Sequence, residues 1–525
     1  RLTIVGGIAV ARYKPYSYKQ GKFISVFFEK QILPGTFEYT LNHLIDNELD
    51  LSVFNDRFKN DETGATAYDP RILLKIILFG YSRGIISSRK IAQACCEHII
   101  FMALSADTRP HFTTIAGFIS SMDKEIVKLF LEVLLVCDEQ GLIGKEMFAI
   151  DGCKLPSNAS KQWSGTRADF LKKVEKMERA LSLMLEKHRQ EDQRKCDRDL
   201  VDREKKYRET LRKKSQKVRE WLSYNGDKIG KSGKPIKSNL TDNESAKMKT
   251  SRGVIQGYDG VTAVDSKNQV IVHAEAFGDA QEHDLLKPMV EGIRENFRLI
   301  DQGEDIFDKV QLTADSGFHT EDNMKMLYEE EIDAYVADNQ FRKRDPRFAD
   351  YDRYKERSRK ERAQREGRKN LFSTRDFIFP EDLSHCICPG GKRLYRSGGN
   401  VVTRNFRSVR FKGPKSACVP CKLRSQCLRY PERTEIRQVA YFLGRSEEGK
   451  ATFTERMKRK IDSTSGQLRY RMRLAIAEPP FAHICSILGL DRFTLRSKRK
   501  VDIQWKLFCI VHNMKKIQSY GVGFA

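Results

Sequence analysis

Acid is in short supply in this chain: 71 Asp and Glu stand against 95 Lys and Arg, a formal net charge of +24. An excess of that size argues against a basic partner and favours an acidic polymer, most simply nucleic acid. A well-solvated basic surface is the bland alternative. Long apolar runs are also missing. No segment reaches the roughly 18 to 20 apolar residues a membrane helix needs, so no membrane partner is expected. The opening RLTIVGGIAVARYK is too short and too weakly flanked for a secretory signal. There is no disulfide framework either. The 12 cysteines are scattered, and Cys95, Cys96, Cys137 and Cys509 stand alone in apolar text, where a buried free thiol is expected. A reducing compartment fits that usage.

The length, 525 residues, allows about two to four domains. Residues 1–145 read as helical. DPRILLKIILFGYSRG offers Asp69 as N-cap, Pro70 at the first helical position and Gly84 as a stop. SSRKIAQACCEHIIFMAL follows from Ser87 or Ser88, and Thr113 or Thr114 can cap TIAGFISSMDKEIVKLFLEVLLV. Such short helices suit a DNA-binding helix-turn-helix and a plain bundle equally. From about 162 to 250 the text is densely charged. Leu171, Val174, Met177, Leu181, Met184 and Leu185 recur at helical spacing, which predicts two long helices forming an arm interrupted near KHRQEDQRKCDRD. GDKIGKSGKPIKSN then reads as a loop.

Two short apolar strands end in acid. In EMFAIDGCKLPSN, Met147 to Ile150 lead into Asp151 and Gly152; in KVQLTADSGFH, Val310, Leu312 and Ala314 lead to Asp315 and Gly317. A carboxylate at the mouth of a sheet is costly unless it is paired or holds a metal. Between them, GVIQGYDGVTAVDSKNQVIVHAEAFG alternates as a hairpin, HDLLKPMVEGIRENF has helical spacing, and IDAYVAD reads as a further strand. The order strand, insertion, hairpin, helix, strand, helix, strand predicts a mixed α/β sheet, the element order of the ribonuclease H-like fold. A third acid, Glu478, lies in the apolar text IAEPPFAHI, where Pro479 and Pro480 predict that a helix bends or begins. Two strand acids and one helix acid would suffice for a two-metal phosphodiester site.

Taken together in chain order, YDPRILLKIILFGYSRGIISSRKIAQAC, FTTIAGFI, IDGCKLPSNASK, GVIQGYDGVTAVD, LTADSGFHTEDNMKML, CPGGKRLY, CVPCKLRSQC, RMRLAIAEPPF, LGLDRFTLRSKRKV and FCIVHNMKKI resemble the DDE transposases of bacterial insertion sequences, in the group with an N-terminal helical transposase domain. The resemblance implies an α/β ribonuclease H-like core, a mixed sheet flanked by helices and interrupted by insertions, with an all-α N-terminal domain and a small cysteine-rich insertion. It implies Asp151, Asp315 and Glu478 as the metal-binding triad, two Mg²⁺ (or Mn²⁺) ions, and terminal inverted repeats and target DNA as partners. It further implies a homodimer in the active complex and a bacterial cytoplasmic, nucleoid-associated location. The expected layout is a helical DNA-binding domain at 1–145, the first part of the core at 146–340 with its arm, a charged and cysteine-rich insertion at 341–450, and a helical part of the core carrying Glu478 at 451–525. Departures from the resembling proteins are Ala482 and Cys485 where glycine and lysine are usual, and GYDG in place of an Asn- and Gln-containing form.

In HCICPGG and ACVPCKLRSQC, a C-x2-C pair with two further cysteines has the spacing of a structural zinc site. The CP form shown by the resembling proteins implies Cys388, Cys418, Cys421 and Cys427 as the ligands, with Cys386 spare; free thiols are the alternative. Basic side chains near Glu478, namely Arg473, Arg496, Lys498 and Arg499, are candidates for DNA phosphate contact. The run RKRDPRF to REGRKN mixes signs and reads as a solvated arm.

Overall fold

A computed structural model of the chain describes residues 25–57, 66–191, 198–230, 233–251, 253–301, 305–345, 371–403, 406–445 and 451–523, together with 19, 347 and 361. The opening apolar segment, the centre of the arm at 192–197 and most of the charged run after 345 lie outside the described residues. The rest divides into two compact units, Arg1–Leu142 with Ile484–Leu490 and Lys506–Ala525, and Ile143–His483 with Asp491–Trp505. The C-terminal text read as one block, 451–525, therefore contributes to both.

The first unit is helical. Helices α1 (Phe37–His43), α2 (Pro70–Ser82), α3 (Ser88–Glu97), α4 (Ile99–Leu104), α5 (Phe112–Ser121) and α6 (Lys124–Glu139) succeed one another. Asp69 caps α2 by accepting from Arg71 N at 2.8 Å, and Pro70 fills the first position, where its missing N–H costs nothing. Helix α5 starts one residue earlier than Thr113: His111 is its cap, accepting from the Thr113 amide. The helix expected to run on into LEVLLV is two helices. Asp123 leaves the helical region between them, and the Glu125 carboxylate takes its amide. A side chain thus captures the N–H that a continuous helix would have used.

The second unit is built on a six-stranded sheet of β1 (Met147–Pro156), β2 (Ala246–Thr250), β3 (Gly253–Asp265), β4 (Ile271–Phe277), β5 (Gln311–Ala314) and β6 (Ala334–Val336). Its order is β6-β5-β1-β3. The far edge of β3 pairs first with β2 and then with β4. β5 runs parallel to β1 and to β6, whereas β3 is antiparallel to β1, β2 and β4. Met147, Phe148, Ala149 and Ile150 are all buried, as a strand covered on both faces requires. Side chains alternate across the strand. Phe148 stacks on Phe297 of α9 (Leu286–Asp301), with ring centroids 5.5 Å apart. Asp151, three residues on, faces the other way, toward α12 (Thr464–Ala482). The sheet therefore lies between two helical layers.

Helices α7 (Arg167–Glu191) and α8 (Arg198–Tyr224) form the arm. Only the base of its apolar stripe is buried, where Phe170 and Val174 meet Val218 and Leu222. Leu171 and Leu185 are exposed. The glycine- and lysine-rich stretch after the arm is not a plain loop: Lys228–Ile229 pairs with Pro235–Ile236, and Ser238–Asn239 pairs with Ser164–Gly165. The insertion forms a separate antiparallel sheet, β7 (His385–Ile387), β8 (Arg393–Thr403), β9 (Phe406–Lys412) and β10 (Gln438–Arg445), over a core of Phe377, Cys386, Leu394, Val409, Phe411 and Val439. Helices α10 (Glu321–Glu329), α11 (Phe453–Asp462) and α13 (Lys498–Tyr520) complete the regular structure used below.

The tightest approach in the core sheet is at Gly257, opposite Pro156, where an added Cβ would overlap the Leu155 carbonyl oxygen. Gly257→Ala is expected to lower stability by about 1–3 kcal/mol, because the clash is with backbone and cannot be relieved by rotating a side chain. Thermal or urea unfolding of the variant measures it.

Candidate active site

Where β1 and β5 part, two carboxylates come together. Their parallel pairing runs from Met147 opposite Gln311 to Ile150 opposite Ala314, and Asp151 and Asp315 are the next residue on each strand. Asp315 ends its strand, as expected. Asp151 does not, because β1 continues to Pro156 along β3. What ends at Asp151 is the partner on one side only. That loss leaves its side chain in the opening between strands, with its Oδ1 accepting from the Gly152 amide at 2.8 Å.

Arg473, on α12, reaches into this opening. Its guanidinium lies 2.5 Å from Asp151 Oδ2 and 3.2 Å from Asp315 Oδ1. Gly466, Tyr470, Arg473, Ile476, Ala477 and Pro480 form the buried face of α12, at helical spacing. Burial holds the Asp151 carboxyl up at about 6; Arg473 opposes the shift and the neighbouring Asp315 adds to it. Burial likewise pushes the Tyr470 hydroxyl up to about 12, and Arg473 lies 5.7 Å from the Tyr470 ring centroid.

Glu478 is not gathered with the two aspartates. It is exposed, about 140° round the helix from Arg473 at five residues' separation. Nor does α12 begin at the prolines. It runs from Thr464 through Pro479 and Pro480, and the His483 amide closes it onto the Pro479 and Pro480 carbonyls. Among the described residues no three His, Cys, Asp or Glu side chains are close enough to hold an ion. The donor chemistry nevertheless fits hard divalent cations, since Asp151 and Asp315 present carboxylate oxygens to the opening around Arg473.

Two acids that the sequence reading passed over lie beside this pair. Asp259 of β3 is fully buried, and Glu282 opens the turn before α9. Lys154 Nζ is 2.6 Å from Glu282 Oε1 and 3.9 Å from Asp259 Oδ2. Burial, with Glu282 next in size, raises the Asp259 carboxyl to about 7. The signal for Asp259 was present in GYDG, read only as a departure. Glu282 had none, being one acid of several in DAQEHD.

Of the basic candidates, only Arg473 enters the opening. Arg496 is exposed and donates to the Asn158 carbonyl at 3.0 Å, Lys498 is paired with Glu275 at 2.8 Å, and Arg499 is exposed. In the insertion, Cys388, Cys418, Cys421 and Cys427 line one cavity. Added Cβ atoms at Gly390 would lie 3.7 Å from Cys388 Sγ and 3.9 Å from Cys421 Sγ, and one at Gly413 would overlap Cys418 Sγ. Burial raises the Cys427 thiol. The four thiols line one small cavity and are the donor type zinc takes, but no three of them stand close enough together to hold an ion as they lie. Cys386 points instead into the apolar core of the sheet.

Residues 26–121 match a transposase domain (DUF772), and residues 387–518 match a transposase DDE domain. The chain carries both transposase domains. The DDE match includes Glu478, Arg473 and the four cysteines but stops short of Asp151 and Asp315, which the fold brings to the same helix. No curated protein matches the sequence. Among the described residues no helix is long and apolar enough to cross a membrane.

Replacing Arg473 by Gln would leave Asp151 and Asp315 facing each other with no opposite charge between them. In EDTA at neutral pH the variant is expected to be less stable by up to about 3 kcal/mol, since breaking a buried pair strands its partners. Added Mn²⁺ should recover more of the melting temperature in the variant than in the parent. Differential scanning calorimetry reads both.

Proposed function

We propose that the chain is a DNA transposase that cuts at the ends of an insertion sequence and joins them to target DNA at a metal-dependent DDE site. The observation that carries the reading is the meeting of Asp151, Asp315 and α12 at the parting of β1 and β5, in a chain with both transposase domains. The strand order, with two parallel strands on one side of β1 and an antiparallel pair on the other, supports a ribonuclease H-like core.

In this reading Asp151 and Asp315 hold divalent cations, two Mg²⁺ or Mn²⁺ ions, with Glu478 as the third acid. When bound, the ions polarise the scissile phosphate and lower the pKa of the attacking water. The freed 3′-hydroxyl then attacks target DNA. Arg473 lies between the two aspartates as their counter-charge, where a phosphate oxygen would approach them. Glu478 would reach the site by rotation of α12 or by a change in its last turns, where Pro479 and Pro480 leave the Ala475 and Ile476 carbonyls without helical donors. Arg496, Lys498 and Arg499 are phosphate contacts on the neighbouring segment. The helical region at 1–145 recognises the terminal inverted repeats. Two protomers bridge two ends, with the arm contributing to their pairing, and the reaction places the protein with bacterial DNA in the cytoplasm.

Cleavage and strand transfer on DNA carrying the element's own ends, in Mg²⁺, test this. Asp151→Ala, Asp315→Ala and Glu478→Ala are each expected to bind the ends while losing both reactions by at least about a thousandfold, the scale of removing a group on which the transition state depends. Cutting without joining would make the chain a nuclease. A parent protein that binds ends but never cuts would make it a DNA-binding descendant of a transposase. The four cysteines are proposed as a structural zinc site of the insertion. One zinc per chain is expected by metal analysis, with Cys421→Ser losing the metal and lowering the melting temperature.

A further inference from the structure

Each strand aspartate is followed closely by a glycine, and each glycine leaves room for another acid. An added Cβ at Gly152 would lie 2.8 Å from Asp259 Oδ1, and one at Gly317 would overlap Glu282 Oε2. The glycines thus admit Asp259 against the Asp151 backbone and Glu282 against the Asp315 turn. Glu282 is not a loose surface acid. The turn it opens is held to α10 by Asn323, whose Nδ2 donates to the His283 carbonyl at 2.7 Å and to the Phe318 carbonyl at 2.8 Å. The same Asn323 therefore fixes the Glu282 turn and the Asp315 turn to each other.

Asp259 lies deeper than Glu282. Its side chain is fully buried, and neither carboxylate oxygen has a donor within hydrogen-bonding geometry, the Glu282 carboxylate beside it being a second acceptor that raises it further. Across the strand pair from Asp151, the Thr262 hydroxyl is buried and also lacks a hydrogen-bond partner. A buried carboxylate without donors is among the costlier arrangements in a protein interior. Lys154 does not resolve it, because that ammonium makes its close contact with Glu282 and lies 3.9 Å from Asp259. One positive charge is shared by two carboxylates. A divalent cation would supply both the missing charge and the missing contacts.

We propose that Glu282 and Asp259 are further carboxylates of the cation centre, Glu282 as a ligand beside Asp315 and Asp259 as the acid that backs it, with Lys154 as their exchangeable counter-charge. The proposal rests on the reading of Asp151 and Asp315 as metal carboxylates and extends that site to the other side of β1. Glu282 comes from the helix layer opposite α12, so cation binding would tie both layers to the central strand.

The test is Mn²⁺ binding to the full chain without DNA, followed by the loss of the free-ion resonance signal, with melting in EDTA measured alongside. Mn²⁺ is the probe because the cysteine site, being soft, selects zinc instead. Glu282→Gln and Asp259→Asn are each expected to weaken Mn²⁺ binding by about ten- to a hundredfold, the scale seen when a supporting group is removed. Neither should lower the melting temperature in EDTA, because each relieves repulsion between acids. A structural role gives the opposite pattern, with a lower melting temperature in EDTA and unchanged Mn²⁺ affinity, and overturns the proposal. Should Glu282→Gln fail to fold, Glu282→Asp, which keeps the charge but withdraws the oxygens, is expected to show the same loss of Mn²⁺. If Asp151→Asn abolishes binding while the other variants do not change it, this inference falls and the site reading stands. If the parent protein binds no Mn²⁺, both fall.

Discussion

Carboxylates placed in the middle of a sheet must find opposite charge, and the second unit is arranged around that demand. Asp151 lies on the central strand, with strands on both sides and helices on both faces. Its position is tolerable because β5 stops pairing at Ala314, opening a gap that a guanidinium can enter. Arg473 is a suitable side chain for the gap. Its planar fork presents separate N–H groups to Asp151 and Asp315, where the point charge of a lysine could face only one of them squarely. The helix that delivers it, α12, packs its Tyr470, Arg473, Ala477 and Pro480 face on the sheet, so the position of the charge and the packing of the layer are one constraint.

The same demand explains the glycines. Gly152 and Gly317 are set by the acids that lie over them rather than by turns of unusual conformation, since neither has a positive φ. Four carboxylates and two cations then occupy a small region on both sides of β1. Gathering these acids costs stability and leaves a high local density of negative charge. The cysteine-bearing sheet stands apart from this chemistry. Its core is small, and a metal at its four thiols would add the folding energy that so few apolar side chains do not provide.

Much of this was legible beforehand where local rules dominate. The α2 cap at Asp69 and Pro70, the β3–β4 hairpin, and the short strands at 311–314 and 334–336 follow from periodicity and capping chemistry. Local text misled where a side chain intervened, as when Glu125 captured the Asp123 amide and split one helix into two. At Glu478 the neighbours in sequence are apolar, but successive helical residues point about 100° apart, so Ala477 can face the sheet while Glu478 faces solvent.

The sequence by itself determined that the chain is basic, that Asp151 and Asp315 lead out of apolar strands, and that four cysteines share a metal-like spacing, because these depend on residue type and order alone. Tertiary structure decided which distant side chains meet. Arg473 was expected at DNA phosphate and lies between the two aspartates. Asp259 and Glu282, drawn from a hairpin and a turn, lie against the glycines that follow those aspartates. The reason is physical. A carboxylate's partner is set by distances across the fold, and residues more than 100 positions apart carry no mark in their own neighbourhoods of the charge they will face.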